Sequence, residues 1–387
     1  MVNQTFLITR TANSSGLLYH REQLLSLEIL SPVWPALIVL GLVSNTTNIC
    51  VFVRTGLGDS VTILLLSLSV SDALFLVLIT PTVATFVIFH FRADWTWPVD
   101  PAITHTLFYW PAFTFYDFSS YISVFLGVTR CACVAMPLHF KSTFTRRRTL
   151  LGIVCLFGLA IFLHLPVMTI FSIGWRRDAS TNFTHTLYPV LVTSGRQAMV
   201  KVNDILNRNS LPWVSFVAMV TCVALLSFKL FQSSQIRFLH VSKPATSGEA
   251  KTSSEKKTSG EVRTYGPVIP SRKARHDATI TTTTNNNSSS NNNNNNNKLS
   301  PKDVRVVQSV VLVCSIFIVA QVPAILYSTV RVVNPDFDHG GRLVNLFGII
   351  AYVSLTFSLL NATLNLCVYY NYNSRYRSVL RSILKVK

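Results

Sequence analysis

Asn365-Leu366-Cys367-Val368-Tyr369 closes the last of seven apolar stretches, and Arg375, Arg377, Arg381, Lys385 and Lys387 follow it in a short basic tail. The stretches fall at residues 33–53, 61–89, 106–128, 149–171, 212–232, 306–330 and 343–370. Each is long enough to cross a bilayer, which takes about 20 mostly apolar residues. In hydrocarbon every backbone N–H and C=O must be satisfied inside its own segment, so the stretches read as helices. The alternative is a soluble protein with buried helices; 49% hydrophobic against 13% charged residues argues against it. The expected fold is an all-α membrane protein, a seven-transmembrane-helix bundle.

Charge orients it. With the N-terminus outside, most of the 34 Lys and Arg lie on inner segments, among them Lys141, Arg146, Arg147, Arg148 and the tail cations. Basic excess near span ends marks the cytoplasmic side. The net charge of +18 is therefore an inner-surface charge, and no soluble basic domain exists to bind nucleic acid. Trp34, Trp95, Trp97, Trp110, Trp175 and Trp213 fall at the outer ends of spans, where amphipathic rings anchor. Sequons at Asn3, Asn13 and Asn182 fall on outer segments as glycosylation candidates. The first 30 residues do not read as a cleavable leader, so the first span is expected to direct insertion. The expected location is the plasma membrane, multi-pass, with an extracellular N-terminus.

The chain divides into an N-terminal segment (1–32), a seven-helix domain (33–371) and a cytoplasmic amphipathic helix and tail (372–387). Within the domain, residues 233–302 form a loop rich in Ser, Thr, Lys and Asn, which cannot bury enough apolar surface to offset ordering and is expected to be disordered. Tyr376, Val379, Leu380, Ile383 and Leu384 have helical spacing between cations, which suits a short interfacial helix on the lipid headgroups. All seven cysteines lie in spans or at their inner ends, so no outer disulfide is proposed. The C-x-C pair Cys131 and Cys133 has no second pair to complete a metal site.

Polar groups in hydrocarbon are costly and tend to mark function. Asp72 sits mid-span in Leu68-Ser69-Val70-Ser71-Asp72, Asn45 in the first span, Ser119 in the third, and Asn361 and Asn365 on one face of the seventh. A carboxylate among amides and hydroxyls can hold a sodium ion or a proton, since oxygen ligands suit hard cations. Spacing alone leaves open the plainer reading, in which the same groups hydrogen-bond helix to helix.

Asn45, the run ending in Asp72, Arg130 at the inner end of the third span, Pro137-Leu138, Phe317 with Pro323, Asn365 with Tyr369, and Tyr376-Arg377 together resemble the rhodopsin-like G-protein-coupled receptors across all seven spans. The resemblance implies a receptor that is not an enzyme and needs no cofactor beyond an allosteric sodium ion. Its partners would be an extracellular ligand, a heterotrimeric G protein, arrestin and membrane lipids. It implies that Asp72, Ser119, Asn361 and Asn365 form the sodium or proton pocket. Arg130, Phe317, Gln321, Pro323 and Tyr369 would be switch residues, with Arg130 and Leu138 meeting the G protein.

The departures point to a divergent, invertebrate peptide-receptor-like branch. The triplet Thr129-Arg130-Cys131 lacks the family's acidic partner, Gln321 replaces an aromatic toggle, Leu366 replaces a proline, and His105 stands at the family's outer cysteine. Ala112 occupies the amine-binding aspartate position, which disfavours an amine ligand. Ala112, Tyr116, Asp117 and Gln321 are the ligand-binding candidates, and Asp117 serves either a basic ligand group or a buried network between helices. Charged, roomy outer segments such as 172–211 suit a peptide, the favoured ligand. A small chemosensory molecule is the alternative, and a seven-helix transporter is the rival class.

Overall fold

A computed structural model describes residues 20–91, 102–135, 143–169, 171–177, 185–191, 196–241, 301–338 and 341–385. By contacts the chain divides into two units, Met1–Phe231 with Ser300–Lys387, and Gln232–Leu299. Of the second unit, residues 232–241 are described, as helix. The disordered loop expected from 233 therefore gives way at 233–241, and the rest of it up to 300 lies outside the described residues.

The first unit is a helical bundle. The described helices are α1 (His20–Leu30), α2 (Val33–Thr55), α3 (Ser60–Phe91), α4 (Trp110–Ala135), α5 (Arg146–Met168), α6 (Arg196–Ile205), α7 (Leu211–Val241, of which the first unit holds the part up to Phe231), α8 (Pro301–Val333), α9 (Val344–Thr363), α10 (Asn365–Tyr372) and α11 (Ser374–Lys385). α4 is entered through Ala102–Thr104 and a π-helical turn, His105–Tyr109; a second π-helical turn, Leu206–Ser210, welds α6 to α7. The all-α membrane bundle expected from the sequence is the fold found, with one hairpin added between α5 and α6, where Phe171–Arg177 (β1) and His185–Leu191 (β2) pair antiparallel. The end of the bundle near this hairpin is the hairpin end; the other, where α11 lies, is the tail end.

Six helical stretches among the described residues are long and apolar enough to cross a membrane. α4, 26 residues long, is not among the six, and it carries Thr114, Asp117, Ser119, Ser120 and Ser123. A lipid-facing helix could not carry these hydroxyls and a carboxylate, so α4 packs centrally, against α3, α5 and α8. By contrast α5 and α7 show outward Val, Leu and Phe side chains such as Val154, Phe162, Val214 and Phe228, the surface hydrocarbon prefers.

Local signals set the ends. Gly56 closes α2 at φ +89, a left-handed conformation that glycine adopts without a Cβ penalty. Asp59 caps α3, accepting from Thr62 N and Thr62 Oγ1 at 2.7 Å each. Leu364 separates α9 from α10, so the last span is broken without a proline. The carbonyls freed there are claimed by α2: Asn45 Nδ2 donates to Ala362 O at 2.7 Å, and Ser44 Oγ to Thr363 O at 3.0 Å. Gly41 of α2 makes the approach close, since a Cβ there would lie 2.8 Å from Thr363 Oγ1.

Two apolar clusters flank this belt. One, toward the tail, gathers Phe52, Leu68, Ile122, Leu126, Phe317 and Tyr369. The other, toward the hairpin, gathers Leu27, Trp34, Phe75, Leu76, Ala112 and Tyr116. Leu27 belongs to α1, so part of the N-terminal segment is helix, packed against α9.

Candidate functional site

The centre of the bundle holds one carboxylate. Asp72 is 1% exposed, and both its oxygens are taken. Ser119 Oγ on α4 donates to Oδ1 at 2.5 Å, and Asn365 Nδ2 on α10 donates to Oδ2 at 2.7 Å. The break at Leu364 puts Asn365 at the first position of α10, aimed at α3. Asn361, buried one turn earlier on α9, makes neither contact. Three of the four expected pocket residues therefore meet directly. Asn45 Oδ1 is buried without a partner, one more oxygen of the type a hard cation takes. A sodium ion would need Asp72 and Ser119 as ligands, and both are engaged in hydrogen bonds between helices here.

Toward the tail lie the expected switch residues. Arg130 is half-buried near the end of α4. Thr129 beside it is buried and turns its hydroxyl back to Leu126 O at 2.8 Å. Phe317 and Tyr369 are buried in the same apolar cluster, and the Tyr369 hydroxyl has no partner. Pro323 interrupts the hydrogen-bond ladder inside α8. Tyr369 stacks edge-on with Phe52 at 5.3 Å, and Tyr376 of α11 joins them. Tyr376 donates to Asn48 Oδ1 at 2.6 Å, which ties α11 to α2. Burial pushes its phenol up, so it stays a donor at neutral pH. Arg377 Nη1 caps the carbonyls of Tyr370 and Asn371 at 3.0 and 2.6 Å, where cations favour a helix C-terminus. Leu138, Asn3, Asn13 and Asn182 lie outside the described residues.

Toward the hairpin the sequence-expected ligand residues split. Ala112 and Tyr116 are core: Tyr116 packs between Phe75 and Phe113, ring centroids at 5.2 and 5.6 Å. Asp117 and Gln321 instead line a small cavity with Ser120, Tyr121, Asn207, Pro212 and Ser215. Gln321 Nε2 donates to Ser120 Oγ at 3.3 Å. Asp117 Oδ2 meets His164 Nε2 of α5 at 3.3 Å, and the other ring nitrogen of His164 faces Ala160 O at 3.0 Å. Of the two roles open to Asp117, the contact is the one between helices.

A second cleft, about 40 Å³, lies nearer the hairpin end and is lined by Trp110, Asp204, Arg208, Tyr327, Ser328 and Arg331. Sequence reasoning missed it. Arg331 is held by Asp204 at 3.3 Å and by Asp338 at 3.3 Å. Arg208 sits over the rings of Phe113, Trp110 and Tyr109 at 4.7, 5.2 and 5.5 Å, and its Nη2 donates to Tyr109 Oη at 2.9 Å. The available signal was a charge on a segment whose apolar run begins at Leu211; α6 and its π-helical turn extend that span backward and carry Arg208 into the bundle.

Among known proteins, a family model described as Serpentine type 7TM GPCR chemoreceptor Srx matches residues 36–260. No curated protein sequence matches the chain.

Proposed function

Because the chain belongs to the Serpentine type 7TM GPCR chemoreceptor Srx family, we propose that it is a chemosensory receptor, which binds a small extracellular molecule and activates a heterotrimeric G protein. The match supports this ahead of the peptide expected from the charged segments. The packing is in keeping with a small ligand, since the two clefts among α4, α6, α7 and α8 are small.

The mechanism is a population shift. A ligand that binds the open state better than the closed one raises coupling by its differential affinity, and by nothing else. In this reading Arg130 meets the G protein, Tyr369 turns inward, and α8 bends at Pro323. Gln321, bonded to Ser120, relays the ligand cavity to that bend. The carboxylate of Asp72 holds α3, α4 and α10 together in the closed state; a sodium ion there would be held by Asp72 and Ser119. The N-terminus faces outside the plasma membrane, and arrestin reads phosphates on the Ser/Thr-rich segment 246–297.

The single observation that carries the reading is the family match over residues 36–260. Its test is expression with a promiscuous G protein and a chemically diverse small-molecule panel, scored by calcium. An active compound should lose all effect with Arg130→Ala at equal surface expression. Coupling retained by Arg130→Ala, or responses to peptides alone, would overturn it.

A further inference from the structure

Resting on the small-molecule reading above, we propose that the cleft beside the hairpin end is a carboxylate-recognition site, with Arg208 as the counter-ion for a small acidic ligand. A charge within a membrane-spanning segment is costly and normally held by an opposite charge. Arg331, 5.9 Å from the Phe347 ring, follows the rule with two carboxylates. Arg208 has no direct ion pair among the described residues: its contacts are three aromatic faces and one phenol oxygen, and the carboxylates of Asp117 and Asp204 act on it only at longer range. A guanidinium has five N–H donors in a fork that matches a carboxylate, and one hydrogen bond leaves most of them to the cleft it lines.

An independent group points to the same ligand chemistry. Trp110 lines the same cleft, and its indole N–H is buried with no hydrogen-bond partner. Indole nitrogen only donates. An unpaired buried donor is costly, and an acceptor arriving in the cleft would satisfy it together with Arg208. The acids of this region are engaged elsewhere: Asp204 with Arg331, and Asp117 with His164. The hydrogen-bond demand left in the cleft is thus for an acceptor, and the one carboxylate that lines it, Asp204, is already paired with Arg331. The rings that cage Arg208 hold its plane, which lowers the ordering cost of bidentate binding. A volume of about 40 Å³ admits a carboxylate head group.

The full-length receptor is to be reconstituted in nanodiscs and its thermal midpoint followed with butyrate, octanoate, benzoate, the matching alcohols and amines, and inorganic phosphate. Carboxylates should raise the midpoint, while alcohols and amines leave it in place. Arg208→Gln should weaken the acid's apparent affinity by about tenfold or more, and Arg208→Lys should restore part of it. Trp110→Phe keeps the ring and removes the donor, so it should weaken acids alone; with Arg208→Lys it carries the test if Arg208→Gln fails to fold. No shift with any acid, an equal shift with the amines, a shift with phosphate only, or equal affinity in Arg208→Gln and wild type would each overturn the assignment. Binding is read here without a G protein. Acids that bind without signalling would therefore count against the receptor reading alone, and signalling by amines alone against the carboxylate site alone.

Discussion

Deleting the Asn365 amide should cost far more when Asp72 is a carboxylate than when it is an amide. The pair meets at 2.7 Å, and the second oxygen of Asp72 is held by Ser119 at 2.5 Å. A hydrogen bond to a charged group contributes about 1.5–3 kcal/mol, against about 0.5–1.5 for a neutral one. Asn365→Leu strips one of two such bonds from a carboxylate that is 1% exposed, so a loss of about 2–3 kcal/mol is expected. Asp72→Asn alone should lie within about 1 kcal/mol of wild type, because relief of a buried charge offsets weaker bonds. In that background Asn365→Leu should cost only about 1 kcal/mol, giving a coupling of about 1–2 kcal/mol. The chain carries its own reporters: Cys222 and Cys314 are buried free thiols, whereas Cys50, Cys155 and Cys367 are exposed. With the three exposed thiols and the half-buried Cys131 and Cys133 replaced by serine, a maleimide fluorophore reports opening of the bundle as temperature rises. Equal costs of Asn365→Leu in both backgrounds would refute a charged, hydrogen-bonded Asp72.

Tyr376→Phe keeps the ring against Phe52 and Tyr369 but removes the bond to Asn48, so α11 should exchange amide hydrogens faster across Ser374–Lys385, by about 1 kcal/mol of local protection. Gly41→Ala would place a Cβ 2.6 Å from Leu76 Cδ1 and 2.8 Å from Thr363 Oγ1; surface expression by flow cytometry should fall with a destabilisation of about 1–3 kcal/mol, while Gly58→Ala, with nothing within 4 Å, should be silent. Thr129→Glu should lower ligand-free signalling, because Thr129 spends its hydroxyl on Leu126 O while a carboxylate there would pair with Arg130; unchanged basal cyclic-AMP and calcium levels would count against this. Sodium should weaken agonist binding in the wild type but not in Asp72→Asn, measured by competition at matched ionic strength.

The spans were legible because apolar runs of bilayer length have few other readings. The central cluster was legible in part for the same reason: Asp72, Ser119 and Asn365 are costly in hydrocarbon and so announce themselves. Which of them touch was not legible. Contact depends on the rotation of each helix about its axis, and Asn361 and Asn365 share a face yet only the residue after the break reaches Asp72. Asp117 left two roles open for the same reason, since its partner His164 lies on a helix whose facing side no local pattern specifies. Arg208 was hidden differently. A charge at the edge of an apolar run reads as loop, and nothing local reveals that a π-helical turn carries the helix past it. The hairpin β1–β2 was read as part of a roomy outer segment, since seven-residue strands leave little periodicity.

The break at Leu364 divides the labour of any movement. Two carbonyls of α9 left over by the interruption are bonded to Asn45 and Ser44 of α2, and Thr363 Oγ1 reaches back to Leu37 O at 3.1 Å. Pulling α9 from α2 would leave these acceptors facing hydrocarbon with no water to take them. The two helices are therefore tied into a single strut, with α1 packed against it. Below the break α10 carries no such obligation. Its own tie is the bond from Asn365, at its root, to Asp72, with Tyr369 one turn on, so in the proposed mechanism a change of partner at Asp72 would reach the Tyr369 ring through this one short helix.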